Sequence, residues 1–110
     1  MLYNKSMRRT EDNILVGRQS DVIRYYFKTR GIKLLPTSIR FWREKGLLEG
    51  CVYKWSKGHR VFYDVVKTAL RIDTIYAFRK YNRLTIAEIR TEIQNRLNKE
   101  DYERIQKNGY

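Results

Sequence analysis

Residues 35–50, LPTSIRFWREKGLLEG, and residues 51–63, CVYKWSKGHRVFY, form the stretch on which the fold turns. Its first half reads as a short helix over about 36–45. Pro36 suits a first helical turn, Thr37 and Ser38 follow it, and Gly46 is the expected stop. At ~100° per residue, Ile39, Trp42 and Gly46 share one side. Thr37, Arg40, Phe41, Glu44 and Lys45 share the other. The pattern is a narrow buried face backed by a basic, partly aromatic outer face. The second half has the composition of two strands: Val52 to Trp55, a turn at Ser56-Lys57-Gly58, and Arg60 to Tyr63. Lys54, Lys57, His59 and Arg60 stand at or beside its tip.

A basic helix followed directly by a basic hairpin is the arrangement of a winged helix-turn-helix. Three motifs narrow this further. Ser38-Ile39-Arg40-Phe41-Trp42 with Lys45-Gly46-Leu47-Leu48 resembles the "TIRYYE…GLL" signature of MerR-family transcription regulators. Gly58-His59-Arg60 with Phe62 is similar to that family's "GYRxY" wing, and Leu84-Thr85-Ile86-Ala87-Glu88-Ile89 to its "SLxEI" segment. The resemblance runs over roughly residues 20–97. It implies a mainly α domain of the MerR winged helix-turn-helix type with a small β-hairpin wing.

Composition sets outer bounds. At 110 residues with 42% hydrophobic content and one Pro, the chain suits one small domain with its own core. No apolar run approaches the ~20 residues of a membrane span, so no membrane partner is expected. No secretory pattern opens the chain, where Asn4, Lys5, Arg8 and Arg9 interrupt it. A lone Cys51 excludes an internal disulfide and points to a reducing, cytoplasmic setting with the nucleoid as its target. The net charge of +12 lies entirely in residues 1–83, whereas residues 84–110 carry five Lys and Arg against five acids. Such asymmetry is expected of a protein that turns one part toward a polyanion.

Outside the central stretch, residues 1–13 read as a flexible basic arm, with Lys5, Arg8 and Arg9 free to reach a phosphate backbone. Ser20 or Asp21 caps a first helix that runs to Arg30 and stops at Gly31, with Val22, Ile23, Tyr26 and Phe27 inward. Asp64 caps a third helix to about Tyr81. Val65, Ala69, Ile72 and Tyr76 share one face of it, and Val66, Leu70, Ile75 and Phe78 fill much of the rest. Thr85-x-x-Glu88 is a capping box. It opens a helix striped by Ile86, Ile89, Ile93 and Leu97, with Glu92 and Arg96 spaced to pair. Asn98-x-x-Asp101 starts a separate short helix or tail over 98–110. The domain proper is thus expected over 14–97.

The resemblance implies that helix 36–45 enters the major groove while wing 51–63 grips the flanking backbone. The DNA contacts it implies are Thr37, Ser38, Arg40, Phe41, Arg43, Glu44 and Lys45 on the helix. Lys54, Lys57, His59 and Arg60 are those on the wing. Arg40 matches the motif's Arg, suited to a guanine edge or a phosphate. Phe41 and Trp42 replace its two Tyr, Trp42 packing inward, and Arg43 stands in place of its Glu. Double-stranded DNA is the expected partner, with a homodimer or cooperative assembly on DNA and RNA polymerase as further candidates. The family continues into a long dimerisation helix and an effector part, whereas about thirteen residues follow Leu97. That fits either an excised domain or a minimal member. No cofactor or metal is expected, since one His and one Cys form no ligand cluster. No nucleophile-base, paired-carboxylate or phosphate-loop pattern marks an enzyme. Transcription regulation is the leading expectation. An architectural role in phage or plasmid excision or in DNA segregation is the alternative, and an RNA-binding module is a third.

Overall fold

Two short strands that the sequence reading left in an arm and its flank complete the sheet of this protein. The computed structural model describes residues 7–56, Gly58 and residues 60–107, the last seven by their backbone alone. Its elements run β1 (Arg8–Arg9), β2 (Leu15–Gly17), α1 (Gln19–Arg30), α2 (Pro36–Glu44), β3 (Val52–Ser56), β4 (Arg60–Asp64), α3 (Val65–Lys80) and α4 (Ile86–Lys107). The strands make one antiparallel sheet in the order β1-β2-β4-β3. Among the described residues the fold is therefore mixed, with four helices and a four-stranded sheet; this is compatible with the expected small α-rich domain with a hairpin, to which β1 and β2 add two strands.

The expected flexible arm is corrected within its described part. Met7 is buried in the core, and Arg8 and Arg9 pair with Val16 and Leu15. A turn over Thr10–Asn13 joins them: Asn13 N–H donates to Thr10 O and Thr10 N–H to Ile14 O, each at 2.9 Å, and Ile14 N–H donates to the Thr10 hydroxyl at 3.2 Å. Asn13 takes a left-handed φ of 62°, which Asn tolerates better than most residues. Gly17 then passes so close to α1 that a Cβ there would lie 2.7 Å from the Asp21 Cβ. Only Gly fits. The closeness lets Asp21, fully buried, accept the Arg18 amide at 2.8 Å. Asp21 thus closes the first turn from its third position; the N-cap itself is Arg18, not Ser20 or Asp21.

Local rules account for most helix ends. Gly31 ends α1 at φ 72°, its N–H on the Phe27 carbonyl. α2 ends in a Schellman arrangement: Gly46 N–H donates to Arg43 O, and Leu47 N–H to Trp42 O, with Gly46 at φ 80°. Leu47, fully buried, supplies the apolar contact that usually accompanies it. Asp64 caps α3 by accepting the Lys67 amide. The Thr85–Glu88 box is reciprocal, at 2.8 and 3.2 Å.

α4 corrects a boundary. It continues unbroken through Asn98 to Lys107 instead of ending near Leu97. No Gly or Pro stops it, and the Asn98 side chain, which would have to cap a new helix, accepts from Gln94 along the helix surface. Arg96 lies over the Phe78 ring at 4.9 Å instead of pairing with Glu92.

Between the sheet and the helices lies one core, built from Val22 and Tyr26, Leu34, Ile39 and Trp42, Leu47 and Leu48, Tyr63, the inner side of α3, and Ile89 and Ile93. Three side chains expected or counted as apolar core are instead turned outward: Phe27 and Leu70, each 55% exposed, and Val66. Each lies about one residue round the helix from a buried stripe. Tyr76 is half-exposed, but its ring meets Trp42 edge-on at 5.6 Å and Tyr26 at 6.4 Å. Cys51 is buried beneath α3, and burial raises its thiol above the ordinary range.

α1 and α3 are also tied by charge. Arg30 binds Asp73 through Nε and Nη2, at 2.7 Å for the shortest contact, and the Tyr26 hydroxyl donates to Asp73 Oδ1 at 2.7 Å. The Arg30 hydrogen bonds hold the Asp73 carboxyl below its usual range, while burial and Asp73 push the Tyr26 phenol up. A depressed carboxylate stabilises the fold above its unfolded value, and that part is lost as pH falls through the folded value. Asp73→Asn should therefore cost about 0.5–1 kcal/mol at pH 7, discounted because the Asp73 side chain is 41% exposed. Below the normal carboxylate range the difference from the parent protein should close, as urea midpoints at neutral and acid pH will report. A gap unchanged at acid pH would contradict it.

Candidate nucleic-acid interface

The surface of interest is set by which residues of α2 the core leaves free. Ile39 and Trp42 face inward, as the spacing requires. Thr37, Arg40, Phe41, Glu44 and Lys45 are exposed, and Ser38 and Arg43 are half-buried. Lys45 Nζ lies 5.7 Å from the centre of the Phe41 ring. Glu44 sits between Arg40 and Phe41 on the helical wheel, the one acid on this face.

Arg43 has a structural task that its place in the sequence did not reveal. Its Nη1 donates to the hydroxyl of Tyr63 at 2.7 Å, and its guanidinium lies over the Trp55 ring at 5.6 Å. Tyr63 is fully buried on β4 and Trp55 is on β3. One side chain of the helix thus fastens the hairpin to α2, so the two elements hold a fixed relation. Arg40 lies about 60° round α2 from Arg43, on the outer face and on the side nearer the hairpin.

Ser56 and Arg60 are the last pair of the hairpin, and Gly58 between them takes a left-handed φ of 80°. Lys54 pairs across the strands with Phe62, and Ser56 with Arg60. Lys54 and Arg60 are exposed, and Lys54 Nζ reaches over the Phe62 ring at 5.6 Å. They occupy the hairpin face opposite Trp55 and Tyr63. The cations of the wing are therefore not on the side that touches α2. Lys57 and His59 lie outside the described residues.

Two features escaped the sequence reading. Arg90, from α4, comes alongside the end of α2, where a Cβ on Gly46 would meet its Nε at 2.8 Å. A groove lined by Phe41, Glu44, Lys45, Gly46, Ile86 and Arg90 results, in which Arg90 adds a cation beside α2 and Glu44 an acid. No motif announced it, since residues 46 and 90 are distant in sequence. The other is Trp55, 59% exposed beside Arg43.

Among the described residues no group of three His, Cys, Asp or Glu gathers as for a metal ion. No helix among them is long and apolar enough to cross a membrane. Comparison with protein-family models, curated proteins and solved structures finds no match for this chain.

Proposed function

We propose that this chain binds double-stranded DNA sequence-specifically, as a MerR-like winged helix-turn-helix regulator of transcription. In this reading α2 enters the major groove and the β3–β4 hairpin follows the flanking backbone. The domain acts without enzymatic activity or cofactor, in the cytoplasm at the nucleoid. A homodimer or a cooperative assembly on DNA, and contact with RNA polymerase, complete the proposal. The observation that carries it is the exposed Arg40 on a helix locked to its hairpin by Arg43. A fixed helix and hairpin allow a base-reading residue and backbone contacts to meet one duplex in a single register. Charge supports the same reading. All of the +12 excess lies in residues 1–83, which include both elements.

Arg40→Ala tests it. A bidentate contact with a guanine edge supplies about 1–3 kcal/mol of discrimination, so affinity for a selected site should fall roughly 5- to 150-fold. Discrimination at that base should relax, while the folding stability stays within about 0.5 kcal/mol of the parent's. In vitro selection of bound DNA, repeated with the variant, reads both. Unchanged affinity and unchanged preference would show that α2 is not the reading helix. Direct repeats filled cooperatively, in place of one two-fold symmetric site, would move the role to DNA architecture.

A further inference from the structure

The hairpin carries an irregularity that decides where its tryptophan points. Val52 pairs with Tyr63, yet Lys54 pairs with Phe62 and Trp55 with Val61, so Tyr53 is an extra residue bulged out of the ladder. In an unbroken register Trp55 would stand across from Arg60, on the outer face. The bulge reverses this. Trp55 instead shares a face with Val61 and the buried Tyr63, on the side of the hairpin toward α2.

Once there, the indole is held without being buried. Arg43 lies over its ring at 5.6 Å, and that guanidinium is itself anchored to the Tyr63 hydroxyl at 2.7 Å. Trp55 is nonetheless 59% exposed. A large apolar ring oriented by an anchored arginine and still open to water is unlike a surface residue placed at random. Its surroundings are cationic: Arg43 covers it, Arg40 stands one step round α2, and residues 51–63 contain no acid. An acidic, π-faced ligand fits that setting, and nucleobases on a phosphate backbone are such a ligand.

We propose that Trp55 stacks on a nucleobase unstacked from the duplex beside the site read by α2, so that the protein prefers DNA that is opened or kinked at that step. This rests on the duplex-binding reading above and names the form of DNA recognised. A paired, stacked base offers only its edges to a side chain in the groove. An indole gains a ring-to-ring contact only where a base step has parted. The interface therefore combines edge reading by Arg40 with a shape requirement set by Trp55.

The test uses the full chain and the duplex recovered by in vitro selection. That duplex is offered fully paired, with one unpaired base at each successive step flanking the α2 contact, and as single strands of DNA and of RNA. Stacking worth the usual amount per base should give one bulged duplex an advantage of about 5- to 150-fold over the paired one. Indole emission should be quenched on binding it; Trp42, in the core, supplies a shielded background. Trp55→Ala should abolish the advantage and the quenching while paired-duplex binding keeps its sensitivity to Arg40→Ala. Trp55→Phe should retain part of the advantage. Equal binding of paired and bulged duplexes, or an advantage that survives Trp55→Ala, overturns the proposal and leaves duplex binding standing. A parent protein that binds no duplex overturns both readings, and one that prefers single-stranded RNA assigns the indole to RNA instead.

Discussion

Ile39→Ala is expected to lower the stability of the fold by about 2–5 kcal/mol and its thermal midpoint by roughly 10–20 °C. Ile39 is fully buried on the inner side of α2, in the same core cluster as Trp42, Leu34 and Tyr63. The substitution deletes three carbons, and at about 0.8 kcal/mol each the transfer loss alone is about 2.4 kcal/mol. The cavity adds the rest, because a site enclosed by α1, α3 and the sheet relaxes only in part. Total stabilities of small domains are about 5–15 kcal/mol, so the loss takes a large share.

The neighbouring position makes the comparison informative. Ile39 and Arg40 are adjacent in the chain but lie about 100° apart on the helix. Arg40→Ala should reduce DNA binding and leave the urea midpoint nearly unchanged. Ile39→Ala should lower the midpoint first and reduce binding through the unfolded fraction, an effect that cooling or a stabilising osmolyte partly restores. An Ile39→Ala protein with the parent's urea midpoint would mean that α2 does not pack by this face.

What could be read from the sequence was what depends on near neighbours. Gly31, Gly46, Asp64 and the Thr85–Glu88 pair act within one turn of their own helix, and each of these ends is found where that chemistry puts it. The hairpin and the exposure of Arg40 follow from spacing alone. β1 and β2 do not. Strands of two and three residues are too short to show a period, and they exist because β2 pairs with Asp64 and Tyr63, nearly fifty residues on. Arg43 was legible as a cation near DNA, but its partners Tyr63 and Trp55 lie on another element. The bulge at Tyr53 was equally hidden. VYKWS reads as an alternating strand, and only pairing with β4 shows the slip that turns Trp55 toward α2.

Binding should fall steeply with salt, by roughly 100- to 200-fold between 50 and 200 mM. Each phosphate neutralised contributes about −0.9 to the slope of log affinity against log salt. Arg40, Lys45, Lys54 and Arg60 are the exposed cations of α2 and the hairpin among the described residues. About four contacts give a slope near −3.6. Two of the lysines rest over aromatic rings, Lys45 over Phe41 and Lys54 over Phe62. Exposed contacts of that kind contribute about 0.5–1 kcal/mol, which does not hold an ammonium away from a phosphate. The competing explanation is a diffuse field from the +12 net charge, which would respond to any lost cation. Lys99 separates the two, because it is an exposed lysine on α4 in the charge-balanced end of the chain. Lys54→Ala and Arg60→Ala should each make the slope shallower by about 0.9, whereas Lys99→Ala, removing the same unit of charge, should leave it alone. Equal changes from all three would assign the affinity to overall charge and remove the hairpin from the interface.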